Sequence, residues 1–216
     1  MNSSPGRTGG SELRRWLDKL PKAELHLHLE GAIPLDALWA LIQKYGGDPS
    51  VPTETHLRQR LTYSDFPDFI ETWIWKNSFL RTYDDFSFIA EKVAQDLLRQ
   101  NILYAELFFS PSRFADRGLT TIGLAKAIRS GLGRVSGCEI WLIADLVRDH
   151  GPIQAAITLT EVATARHYGI VGIGVDLNIS SHRNRLLSST QKPDASALRR
   201  VPMPEKHPEQ TASVAL

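Results

Sequence analysis

Residues Glu24–Gly31 read ELHLHLEG, in which two histidines alternate with three leucines and a carboxylate and a glycine follow. Residues two apart on a strand point the same way, so His26 and His28 share one face and Leu25, Leu27 and Leu29 the other. The alternation over Ala23–Leu29 therefore predicts a strand with two distinct faces. In a parallel α/β architecture the leucines meet helices and the imidazoles look away from them. Buried imidazoles need polar partners or a metal. Neutral imidazole is a common transition-metal ligand, and two on one strand can chelate one ion. A bare His-x-His in arbitrary sequence is more often a hydrogen-bonded pair without metal. Here the strand alternation, the place at the strand's end and the Glu30–Gly31 pair that follows favour a site, because β/α barrels hold their chemistry where strands pass into loops.

Helix and strand patterns alternate outward from this stretch. Helices are predicted over Ser11–Leu20 (capped by Ser11), Ile33–Tyr45, Glu54–Leu61, Phe66–Leu80, Thr82–Arg99, Thr120–Val135 and Pro152–Tyr168. Thr82 supplies a cap, Asp84 and Asp85 suit a first turn, and Phe86, Ile89, Ala90, Val93 and Leu97 recur at helical spacing. Strands are predicted over Asn101–Ser110, Glu139–Val147 and Gly169–Leu177. Four strands separated by helices imply parallel βα units. The expected fold is α/β, an incomplete TIM-type (β/α) barrel of about four units where a full barrel has eight.

Residues 1–10 are small and polar and read as a disordered lead-in to a domain over 11–177. From residue 178 to 216 no period of 2 or 3.6 lasts, and the segment carries six Lys/Arg against three Asp/Glu. A stretch so poor in apolar residues cannot offset its ordering entropy, so it is expected to be disordered or non-native. The formal charge of +1 across 216 residues gives no electrostatic reason to expect nucleic acid or a membrane as partner. Cys138 is the single cysteine, which excludes an internal disulfide and fits a reducing compartment. With no apolar leader or membrane-length run, the expected location is the cytoplasm.

The segment LPKAELHLHLEGAIPLDAL (Leu20–Leu38) resembles the first strand and helix of adenosine deaminases, metal-dependent members of the amidohydrolase superfamily. YAELFFSPSRF (Tyr104–Phe114) is similar to that family's second-strand segment, and HYGIVGIGVDL (His167–Leu177) begins like its fourth strand. The likeness covers about Leu20–Gly174. It implies a zinc aminohydrolase releasing ammonia from adenosine or a related 6-aminopurine, with His26 and His28 as zinc ligands. It also implies that Glu30 contacts the sugar of a purine nucleoside, although an aspartate is found at that position too. Gly31 would permit close backbone approach, or simply turn the chain. Phe69, Ile70 and Trp73 fall where the family has an apolar gate over the purine; an ordinary core-facing aromatic stripe reads equally well. Glu106 shares an inward strand face with Tyr104 and Phe108 and reads as a structural hydrogen-bonding residue. Ser110 and Arg113 lie in the loop after the second strand. His150 follows the third strand, His167 suits a helix C-terminus, and His56, His182 and His207 read as solvated.

The family's reaction also uses a third histidine and a glutamate in a HAGE-like motif, a further histidine and paired aspartates. None of these occurs here, since Asp84–Asp85 belong to a helix start. No catalytic residue is therefore assigned, only a partial, weakly held zinc site is expected, and the chain reads as a catalytically incomplete member. It is expected to leave the family between Gly174 and Ile179, as a truncated, frame-shifted or alternatively spliced product would. A half barrel would expose interior residues such as Phe108 and Leu142 and its strand edges, which favours self-association. Two other readings remain open: an amidohydrolase with a different substrate, and a non-catalytic half-barrel interaction protein.

Overall fold

The computed structural model describes residues 9–176, with side chains from residue 12; the expectations for 1–8 and 177–216 lie outside the described residues. Helix α1 (Gly9–Lys19) leads into strand β1 (Lys22–His28). Four helices follow, α2 (Leu35–Lys44), α3 (Glu54–Arg60), α4 (Phe66–Asn77) and α5 (Tyr83–Arg99). The chain then runs β2 (Ile102–Phe109), α6 (Thr121–Leu132), β3 (Glu139–Val147), α7 (Gly151–Ala165) and β4 (Ile170–Asp176). The strands form one sheet in the order β1-β2-β3-β4, each pair parallel. Four βα units side by side are half of a TIM-type barrel.

Local chemistry accounts for the helix boundaries. Thr53, Asp65 and Thr120 each accept a backbone N–H at the start of α3, α4 and α6. Thr82 and Asp85 form a reciprocal capping box at α5. Asp85 does more than cap: fully buried, it receives Lys44 Nζ and Tyr45 OH at 2.6 Å and the amides of Arg81 (2.9 Å) and Thr82 (2.8 Å). Burial alone would raise its pKa, but these donors outweigh burial and hold the carboxyl below its ordinary value. One carboxylate thereby ties α2 to α5.

The core lies between the helices and one face of the sheet. Ala105, Leu107 and Phe109 of β2 and Leu142 and Ala144 of β3 are at most 1% exposed. They pack with Leu38, Leu41 and Ile42 of α2, Phe86, Ile89 and Val93 of α5, and Leu124 and Ile128 of α6. Each such side chain contributes about 1.5–3 kcal/mol by leaving water. Gly131 lets α6 approach α5 closely, since a Cβ there would collide with the Ser87 carbonyl oxygen.

The structure departs from the sequence-based expectations at identifiable places. Helix α1 begins at Gly9, so Ser11 lies inside it rather than capping it. Helix α4 stops at Asn77, and α7 passes into a 3-10 turn over Arg166–Tyr168. A 3-10 helix over Pro111–Arg117, closed by Gly118 at φ 74°, was not anticipated. The pairing of β1 with β2 shifts register between Glu24 and Leu27, and Leu25, inside that bulge, is 60% exposed rather than packed with Leu29. A bulge adds one residue to one strand and breaks its alternation. Leu142 is not near water: it shares strand parity with Ala144, away from Asp145, and sits under the helices. Phe108 does lie half-buried on the opposite face.

Candidate metal centre at the strand ends

The end of the sheet where all four strands terminate gathers His28, Ser110, Asp145 and Asp176. His26 and His28 project to the same side, and their Nε2 atoms are 3.3 Å apart. Phe108, paired with His28 across the ladder, stacks on the His26 ring at 4.4 Å between centroids and lies 5.4 Å from the His28 ring. On the far side of His28, Nδ1 faces Asp145 Oδ2 at 3.4 Å. Burial pushes the His28 pKa down, against the pull of Asp176, and favours neutral imidazole.

Asp145 is 2% exposed. Burial, with the charges of Asp176 and Glu30, pushes its pKa up to about 7. Next to it, Glu30 is fully buried, and its Oε1 receives the Ser110 amide at 2.9 Å. Burial raises its pKa despite that bond. Glu30 Oε2 and Ser110 Oγ are buried without a hydrogen-bond partner among the described residues. The chain turns after β1, with the Gly31 amide bonding the His28 carbonyl at 2.9 Å. The Gly31 carbonyl in turn receives Lys76 Nζ at 3.1 Å. Lys76 is 4% exposed, and burial pushes its pKa down to about 8, with Glu30 opposing.

Helix α4 reaches this end of the sheet through Lys76 and Trp73. Arg113 holds Asp176 through Nη2 at 2.6 Å and Nε at 3.1 Å, and its guanidinium lies 4.9 Å over the Trp73 ring. Trp73 is thus joined through Arg113 to the end of β4. Phe69 meets Tyr63 edge-on at 5.1 Å and lies 6.0 Å from Phe66, and Ile70 is half-buried beside them. His150 Nδ1 and Ser112 Oγ are hydrogen-bonded at 2.9 Å. Glu106 receives the Tyr104 hydroxyl at 3.1 Å, a structural bond of the kind expected. His167 Nδ1 donates to the Thr164 carbonyl at 3.1 Å in the last turn of α7, and His56 is exposed and bonded to Thr53 Oγ1. His182 and His207 lie outside the described residues.

The donor set fits zinc in part. Two nitrogens, each about 2.0–2.1 Å from a tetrahedral zinc, stand about 3.3 Å apart, which is the separation His26 and His28 adopt. Among the described residues no group of three His, Cys, Asp or Glu is arranged to hold a metal, so the pair supplies two ligands only. Sequence reasoning missed Asp145, Lys76 and the role of Asp176. For Asp145 a signal existed. It is the one charged residue inside the apolar run IWLIADLV, and it shares parity with Trp141 and Ile143 on the inward face.

Half of a parallel βα barrel, with a histidine pair at the strand ends, defines a β/α-barrel amidohydrolase fold. A family profile described as adenosine deaminase matches residues 21–192. The chain belongs to the adenosine deaminase family. The match runs to residue 192, past the Gly174–Ile179 stretch at which the sequence is expected to leave the family. An adenine deaminase of Bordetella avium is 30% identical over 177 residues, covering 81% of this chain and 56% of the relative. A zinc-bound amidohydrolase from Burkholderia ambifaria superposes with a TM-score of 0.69 at 26% identity, covering 80% of this chain and 49% of that one. The N6-methyl-AMP deaminase of Arabidopsis thaliana shares the fold with a TM-score of 0.65 at 23% identity, over 76% of this chain and 51% of that one. The chain spans about half the length of the curated relatives it matches. No helix among the described residues is long and apolar enough to cross a membrane.

Proposed function

We propose that this chain supplies the first half of a zinc-dependent aminopurine deaminase site, with His26 and His28 as two metal ligands and a 6-aminopurine such as adenine or adenosine as substrate. The observation that carries this is the 3.3 Å approach of the two Nε2 atoms at the strand ends. Zinc in such a site supplies a lowered water pKa at neutral pH. This chain's own residues orient the imidazoles through Phe108 and Asp145. Glu30 offers the unpaired Oε2 to a ligand hydroxyl, and Gly31 forms the turn that sets Glu30 there. Phe69, Ile70 and Trp73 shield the purine from water.

The sequence holds no HAGE motif and no aspartate pair beyond Asp84–Asp85, so the glutamate that the family resemblance implies as proton donor to the ring is not among residues 1–216. Loss of several cooperating groups leaves little rate enhancement. Ammonia release from adenine and adenosine, measured on these 216 residues with added zinc, is expected to stay at background. Zinc binding, read by competition with a chromogenic chelator, is expected to be weak and to vanish in His26→Ala and His28→Ala. Turnover at ordinary enzyme rates, lost on His26→Ala, would show the site to be complete; zinc affinity unchanged by both substitutions would refute the metal assignment.

One observation favours a second reading, pairing with another copy. Val171, Ile173 and Val175 along the last described strand are 54%, 52% and 57% exposed, beside a strand edge that no other described strand pairs. Such an edge is a template for another strand. Sedimentation at several concentrations distinguishes a concentration-dependent dimer from a monomer, and only the former keeps this reading.

A further inference from the structure

We propose that Asp145 is the positioning residue of the histidine pair, holding His28 in the tautomer that carries its proton on Nδ1. This rests on the metal reading of His26 and His28, and the experiment separates the two. His28 has two ring nitrogens with different surroundings. Nδ1 faces Asp145 Oδ2 at 3.4 Å, while Nε2 faces His26 Nε2 at 3.3 Å. An ionised carboxylate can only accept, so beside the ionised form of Asp145 the proton on His28 belongs on Nδ1, and Nε2 keeps its lone pair turned toward His26. The 3.4 Å separation is ion-pair distance rather than a short hydrogen bond, and it leaves Asp145 Oδ2 otherwise unpartnered among the described residues. Metal-ligating histidines ordinarily give their other N–H to such a partner, which fixes ring orientation and raises ligand basicity.

The sheet is built to admit this carboxylate. Asp145 pairs with Gly174 across β3 and β4. A Cβ at Gly174 would collide with Asp145 Oδ1 and come within 2.9 Å of Phe108 Cε1. Phe108 is the ring against which His26 stacks. Gly174 therefore gives space both to the group behind His28 and to the group behind His26. At 2% exposure Asp145 has little solvent to satisfy it, so His28 and the Ser110 side chain are the groups its carboxyl meets.

Two measurements on the 216-residue chain test the assignment. Long-range nitrogen–proton NMR of the histidine rings at about pH 8, above the ordinary imidazole pKa, reads the tautomer without metal. The His28 signals are identified by their loss in His28→Ala. The wild-type ring is expected to be protonated on Nδ1, and in Asp145→Ala the proton is expected to move to Nε2. Chelator competition is expected to show zinc binding weakened about 10–100-fold in Asp145→Ala. Asp145→Asn, which keeps volume and one acceptor, is expected to fall between the two and serves if the alanine variant does not fold. Gly174→Ala is expected to weaken zinc in the same direction. A wild-type His28 protonated on Nε2, or wild-type zinc affinity in Asp145→Ala, overturns the proposal. If zinc binding is absent or indifferent to His28→Ala, the metal reading fails, and the tautomer spectrum still decides for or against Asp145.

Discussion

Leu107 and Phe108 are neighbours on β2, yet the first is fully buried and the second only half-buried. The same contrast runs along the next strand, where Leu142 and Ala144 look toward the helices and Trp141 and Asp145 look away. On the helix side β2 and β3 form an apolar layer packed against α2, α5, α6 and α7, whereas Ile173 of β4, which shares that face with Ala144, is 52% exposed; the polar contacts on this side are caps and the Asp85 cluster. On the other side stand the histidine pair, Glu106, Asp145 and the Arg113–Asp176 pair. One face is organised by burial, so it tolerates little change in volume. The other is organised by pairing, so each charge there depends on a named neighbour.

The comparison can be broken most forcefully at Asp85. Asp85→Ala strands the Arg81 and Thr82 amides and the Tyr45 hydroxyl, and is expected to cost about 3–5 kcal/mol in denaturant unfolding. Its pH signature has a definite sign. The folded pKa lies below the unfolded one, so the contribution is complete above about pH 4 and is lost as pH falls through the folded value. Wild-type melting should therefore fall more steeply with acid than that of Asp85→Ala. Leu107→Ala comes next, at about 3 kcal/mol for a cavity under the helices. Phe108→Ala, one residue along, is expected to cost only about 1 kcal/mol because the ring is partly solvated. It should nevertheless weaken zinc binding, since His26 loses the surface it stacks on. If the two neighbours cost the same, the division between the faces is wrong. Smallest is Ile173→Ser on the exposed row of β4, expected within about 0.5 kcal/mol for the monomer. A sedimentation shift toward monomer in that variant would sharpen the case for pairing between copies.

Much of this was legible in the chain. The alternation of ELHLHLEG placed two histidines on one face, and Thr82 with Asp85 marked the start of α5. Strand β3 was predicted with the bounds it has. What escaped the sequence was relational. The bulge that exposes Leu25 arises from pairing with β2, which no property of Leu25 announces. Leu142 was expected at an open interior because its apolar side chain suits either face. Only its register beside Asp145 shows which way it points. Lys76 has no sequence signal of its own, since its burial against the Gly31 carbonyl depends on where α4 meets the turn after β1.

The sequence by itself determined the family, the four βα units and the shared side of His26 and His28, because capping chemistry and the period of two act between near neighbours. Only the tertiary structure decided that Asp145 stands behind His28, that Gly174 makes room for it, and that Arg113 joins Trp73 to Asp176. These residues are brought together by parallel strands distant in the chain. Burial and pairing are properties of the surroundings, and the surroundings exist only once the sheet has formed.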